Sequence, residues 1–273
     1  MHPELRTVLP LAPEAITRQD GASKNDCERN AAKRLLERIR HPHPQLKLIV
    51  VENALAANGP HLELLGALGL RYIIGVKEGG HEALFEVMQE RLRAGTCEEF
   101  EYTNPRGVIH GFRFANDLPL NKSHPHVWVN FLEYWTIDGD EQRLWSWITD
   151  IPLTPDNVTK IMRGGCARWK IENETFNTLK NQGYHLEHNY AHGQQHLATV
   201  FAYLTLLAFL IIDQVQELGC RLFQGARGRF RSRRSLWARL RNLLSSLYIS
   251  DWASLRKAIR FGHQGQLLVP DTS

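Results

Sequence analysis

Residues 47–53 read "KLIVVEN", four consecutive apolar residues closed by an acid and an amide. A continuous apolar run of this length, rich in Val and Ile, is the pattern of a strand covered on both faces, as in a parallel sheet. The flanks support that reading. Upstream, "SKNDCERNAAKRLLERIR" (23–40) sets Leu35, Leu36 and Ile39 on one helical face, and "HPHP" ends it. Downstream, "GPHLELLGALGL" (59–70) predicts a short helix, "RYIIGVKEGG" (71–80) a second buried strand and "HEALFEVMQERLRAG" (81–95) another helix. A short strand-like piece in "RTVLPLAPEAI" (6–16) precedes them, and the alternation of strand and helix indicates an α/β sheet.

From about Cys97 to Leu153 the pattern changes. Aromatic and β-branched residues alternate with polar ones, and Gly, Pro, Asn and Asp punctuate them. This predicts antiparallel strands, with "DGDE" (138–141) as a hairpin turn, and reads as a β-rich insertion into the α/β core. Trp128, Trp135, Trp145 and Trp147 are expected to be strand-pair or core aromatics, with base stacking as the rival role. Beyond Leu153 the chain turns helical.

The chain of 273 residues suits one core with an insertion as well as two lobes. Its formal charge of +4 and pI near 8.9 fit a polyanionic partner without requiring one. The cysteines Cys27, Cys97, Cys166 and Cys220 are scattered with no C-x-x-C pair, which argues against zinc ribbons and redox motifs. Cys166 is read as an unreactive thiol. A reducing, cytoplasmic setting is expected, since the N-terminus lacks a basic patch followed by an apolar core. The longest apolar run, Leu197 to Ile212, is shorter than the roughly 20 residues a bilayer demands and is expected to be a buried helix.

In "RWKIENETFNTLK" (168–180), Arg168, Glu172, Phe176 and Lys180 recur every four residues and share one face of a regular helix. Such a row suits a surface helix laced with ion pairs. It also suits a carboxylate that holds a divalent cation among cations that hold phosphates. His185, His188, His192 and His196 resemble a metal cluster, but Gly193 interrupts them and no nearby Cys or Asp completes a zinc set. Between Arg221 and Arg241 there are eight arginines and no acid, either a solvated charge run or a phosphate-contact surface.

The strings "RWKIENETFNTLKNQGYHLEHNYAHG", "LIVVENALAANGPH" and "LAPEAITRQDGASKNDCERNAAKRLL" resemble segments of insertion-sequence DDE transposases of the Tyr-Arg-Glu-Lys group. The resemblance runs along nearly the whole chain. It implies a ribonuclease-H-like α/β core in which two Asp and one Glu hold two Mg²⁺ ions for phosphoryl transfer on DNA. On that mapping Glu172 is the catalytic, metal-binding glutamate, with Glu174 as the fallback in a shifted register. Arg168 is the signature arginine, and Lys180 the signature lysine, one position off the usual spacing. The signature tyrosine position holds Gly165. The second catalytic Asp position, at the end of "KLIVVE", holds Asn53, which offers one neutral amide oxygen. Glu52 next to it should face the other way. The first Asp belongs on a strand ahead of "TVLPLAPE", so the core is expected to be incomplete at the N-terminus; Asp20 and Asp26 match by residue type only, and Asp26 is expected to serve a helix start.

The resemblance also favours DNA as the partner of Arg168, Lys180, Arg229, Arg231, Arg233 and Arg234, with self-association as a further expectation and no membrane role. The expected domains are a partial core (1–96), the β-rich insertion (97–153), core helices with the glutamate signature (154–218) and a basic helical region (219–273). The function so implied is DNA transposition in a truncated, catalytically impaired copy, with a non-catalytic DNA-binding remnant or an unstable fragment as the alternatives.

Overall fold

The computed structural model describes residues 3–4, 8–11, 13–188 and 196–262. The described residues divide into two compact units: residues 14–168, with 3–4, form one, and residues 169–188 and 196–262, with 8–11 and 13, form the other.

The first unit is mixed α/β, built on a six-stranded mixed sheet. Ser23 caps helix α1 (Lys24–Arg40) by accepting from the Asp26 N–H, and Arg38 and Arg40 stand near its negative end. Strand β1 (Ile49–Glu52) pairs in parallel with β2 (Arg71–Gly75), and α2 (Gly59–Ala67) makes the crossover. Helix α3 (Glu82–Arg93) leads to β3 (Glu98–Thr103), β4 (Ile109–Asn121), β5 (His124–Asp138) and β6 (Glu141–Thr149), an antiparallel meander. The turn expected at "DGDE" is present: Asp138 pairs with Glu141, and Gly139 takes φ +58°, which glycine adopts without strain.

Strand β6 then returns to pair with β2, so the sheet order is β1-β2-β6-β5-β4-β3. The strands of 97–153 therefore extend the same sheet as β1 and β2 rather than standing beside it. Successive residues face opposite sides. Ile74, Phe131 and Ile148 pack with Leu65 of α2 and Leu84 of α3, while Ile73, Leu132 and Trp147 pack with Val158 and Ile161 of α4 (Val158–Cys166). Close approach of α4 depends on two glycines. A methyl at Gly164 would lie 2.7 Å from Ile73, and one at Gly165 would lie 2.5 Å from the Trp147 ring.

One expectation fails here. "KLIVVEN" reads as an interior strand, but β1 is at the sheet edge, and Ile49 is 51% exposed. Its apolar residues Val50 and Val51 are partly buried, one in the core cluster on each face of the sheet, and report that cover rather than a second strand at the side of β1.

The second unit is helical. A continuous helix from Trp169 carries a π-helical turn at Ile171–Phe176 and ends in α5 (Asn177–Asn181). A second runs 23 residues, Leu197–Gly219, through α6 (Leu197–Ala208), a π-helical turn at Phe209–Val215 and α7 (Gln216–Gly219). Helices α8 (Arg221–Arg227), α9 (Arg233–Ser246) and α10 (Trp252–Phe261) surround Phe223, Leu236, Leu240, Leu243, Leu255 and Ile259.

The 197–219 helix corrects a second expectation. Its apolar sequence predicts burial, yet Leu204 is 52% exposed and Leu207 48%. One side, with Leu206, Ala208 and Phe209, packs on Leu179, Tyr184 and Trp237, while Val200, Phe201, Leu204, Leu207 and Ile211 are exposed. By length and composition this helix is apolar enough to cross a membrane. Its charge-free stretch, however, ends at Ile212 and measures about 24 Å against the roughly 30 Å of a hydrocarbon core.

Candidate functional site

Asn53 follows β1 directly, at the carboxyl end of the parallel β1–β2 pair, where ligands of open α/β sheets gather. Its Oδ1 accepts the Leu55 N–H at 3.1 Å and caps the 3-10 turn Ala54–Ala56. Glu52 is also engaged. Asn58 caps α2 by accepting from the His61 N–H, which sets His61 in the first turn, buried, with Nε2 2.7 Å from Glu52 Oε2.

The two aspartates that match by type have structural duties. Asp20 accepts from Arg34 at 2.5 and 3.1 Å and from the Thr17 N–H at 2.6 Å. The Arg34 hydrogen bond, then the backbone bond, hold its pKa down at about 2. Asp26 sits in the first turn of α1 and accepts from the Ser23 hydroxyl. Among the described residues no group of three or more His, Cys, Asp or Glu is placed to hold a metal ion. The donors around Asn53 therefore do not make the carboxylate set that a shared Mg²⁺ site needs.

The glutamate signature lies in the helical unit from Trp169 onward, with Arg168 at the end of the sheet unit. Its helix is not regular. Six residues, Ile171–Phe176, are π-helical, and Thr175, Thr178 and Leu179 face inward while Glu172 and Glu174 are exposed. In an α-helix, positions seven apart nearly eclipse, and positions eight apart diverge by about 80°. A π-turn takes up one additional residue. It therefore brings Glu172 and Lys180, eight apart, to the relationship that seven residues give in a regular helix. Of the row expected of Arg168, Glu172, Phe176 and Lys180, the last three are all exposed. Lys180 places Nζ 2.7 Å from Glu187 Oε1. Gly165, at the tyrosine position, has its side-chain space filled by the Trp147 ring.

The basic region divides by environment. Arg229, Arg231 and Arg234 are exposed, and Arg229 donates to the Arg260 carbonyl. Arg233 is drawn back, half-buried, with Nη2 3.6 Å from Glu217. Of the four arginines of this region assigned to DNA, Arg233 is thus half-buried, and Arg229, though exposed, also bonds its own fold.

His185 and His196 take left-handed backbone conformations, His188 is exposed, and His192 lies outside the described residues. Trp135 and Trp147 are buried, and Trp135 donates to Glu101 at 2.9 Å. Trp145 stacks on Tyr134 at 5.4 Å, whereas Trp128 is exposed. Cys166 is exposed, with Sγ 3.9 Å from Met162 Sδ.

Sequence reasoning missed two polar assemblies on opposite faces of the sheet. His110 bonds the Tyr134 hydroxyl at 2.7 Å and Asn104 at 2.9 Å, and burial pushes Tyr134 up to about 12. On the other face Arg113 bridges Glu99 and Glu133 at 2.6 and 2.9 Å. Burial raises the Glu133 pKa, with Arg113 opposing it. The cross-strand alignment Glu99–Arg113–Glu133 is the only signal that could have found the second, and it needs the strand register first.

No known family profile matches the chain, and no curated protein matches it in sequence.

Proposed function

We propose that this protein derives from a DDE transposase with a ribonuclease-H-like arrangement, that its metal-dependent phosphoryl transfer is impaired, and that it retains binding to duplex DNA. The observation that carries the reading is the π-turn at Ile171–Phe176. The signature lysine lies one position off the motif's spacing from Glu172, and the turn that holds Glu172 changes the helical spacing by one residue. Asn53 at the carboxyl end of β1 supports the same reading, because it holds the place where the motif requires an acid.

The same residue favours the non-catalytic form over residual activity. The Asn53 amide is neutral, and its oxygen already serves the Leu55 N–H. In intact relatives the metal pair activates the attacking oxygen and steadies the leaving one. Here Glu172 would be the remaining carboxylate of that set. Arg168 and Lys180 would offset phosphate charge.

Gel-shift titration of the full chain with a labelled duplex, run beside a Mg²⁺- or Mn²⁺-dependent nicking assay, tests the reading. It expects duplex that is retarded and recovered uncut. Absence of retardation, or robust cleavage, overturns it.

A further inference from the structure

Residues 221–262 carry ten Arg and one Lys against a single acid, Asp251. Helix α9 concentrates this charge in an order that works against its own stability. Ser232 caps it, accepting from the Ser235 N–H at 3.2 Å, and the first turn then brings Arg233 and Arg234 with no acid. The last turn holds no base. Cations at a positive helix end and none at the negative end invert the favourable arrangement. An anion at that end, such as a phosphate, reverses the penalty.

The faces of α9 are equally informative. Leu236, Leu240 and Leu243 are buried against α8 and α10. At about 100° per residue, the side opposite them carries Arg234, Ala238, Arg241, Asn242 and Ser245. All five are exposed. The set has no large apolar residue, which disfavours a lipid surface, and no aromatic platform for single-stranded bases; Trp237 is occupied by Tyr184 at 4.8 Å. From Arg234 to Ser245 the helix rises about 16 Å, close to five base pairs. The planar donors of Arg suit guanine O6 and N7, and the Asn amide suits adenine N6 and N7. A-form RNA presents a major groove too narrow for such a helix.

We propose that α9 is a sequence-reading helix for B-form DNA: Arg234, Arg241 and Asn242 hydrogen-bond base edges in the major groove, and the exposed Arg229, Arg231 and Arg239 hold phosphates beside it. The inference rests on the DNA-binding reading above but not on any strand-cutting activity.

Selection from a randomised duplex pool, paired with salt titrations on a fixed random-sequence duplex, tests it with the full chain. The wild-type protein is expected to enrich a short motif containing G and A. Asn242→Ala should weaken binding to that motif on the order of tenfold, with random-duplex binding changed less than about twofold. Arg241→Lys, which keeps the charge but not the fork, should relax preference at a guanine. Arg231→Ala should weaken all sequences alike and lower the slope of log affinity on log salt by about 0.9. Duplex binding without base preference overturns the α9 assignment and leaves the DNA-binding reading standing. Absence of duplex binding overturns both. Tighter binding to RNA duplex than to DNA also overturns the assignment, and circular dichroism of each variant separates a lost contact from a lost fold.

Discussion

His61 is 3% exposed and directs its Nε2 at Glu52 Oε2 across 2.7 Å, one residue from Asn53. This bond fixes the end of β1 to the start of α2. Replacing His61 with Leu leaves the carboxylate without its partner in a partly buried setting, at a cost of about 2 kcal/mol. Glu52→Gln keeps an acceptor for the ring N–H and should cost less. Urea unfolding followed by tryptophan fluorescence reads both. Equal losses would show that the bond contributes nothing beyond packing.

The Gly165–Trp147 approach makes a second prediction. Gly165→Ala drives a methyl into the indole and should cost roughly 1–3 kcal/mol through overpacking. Gly165→Tyr, which restores the residue that the motif expects, should be worse still and give little folded protein. A Tyr variant as stable as the wild type would mean that α4 does not rest on Trp147 in the way described.

These two sites also show what a linear reading can reach. The alternation of "KLIVVEN" and "RYIIGVKEGG" with helical segments gives strands β1 and β2, and "DGDE" gives its hairpin, because period and turn chemistry are local properties. The edge position of β1 was not legible, since a strand's apolar side chains record what covers its faces and not what pairs with its backbone. The helix at 197–219 failed for a related reason: its apolarity says that it avoids water but names no partner. Asn53 was legible as a place at the end of β1, yet its use as the cap for Leu55 depends on the turn that follows. The π-turn was hidden, since "IENETF" carries no composition that separates it from an α-helix.

Deleting one residue from that turn, such as Asn173, should let the helix run as a regular α-helix with glutamate and lysine seven apart. The account expects an unchanged or higher melting temperature and retained helical circular dichroism, because Leu179 and the residues after it keep their phase. A fall of many degrees would show that the turn is required by packing and is not an accommodated insertion.

Stability in acid should depend on two carboxylates with opposite signs. Asp20, held by Arg34 at a pKa of about 2, lies below its unfolded value of about 3.9. Its contribution is present above about pH 4 and is lost as pH falls toward 2. Glu133 is raised by burial, so its contribution is full below the ordinary carboxylate range and is lost as pH rises through its folded value. Asp20→Asn should flatten the acid side of the stability curve. Glu133→Gln should remove a decline just above the ordinary carboxylate range. Thermal melts in steps from pH 2 to 7 check both, and identical profiles for the two variants would contradict the assignments.

The central claim is that this protein grips duplex DNA without cutting it. Incubation with supercoiled plasmid in Mg²⁺ or Mn²⁺, with each sample run before and after digestion of the protein, reads both halves on one gel. The account predicts plasmid retarded by the intact protein and recovered supercoiled after digestion. Nicked or linear plasmid above the protein-free control, or plasmid that is never retarded, would contradict it.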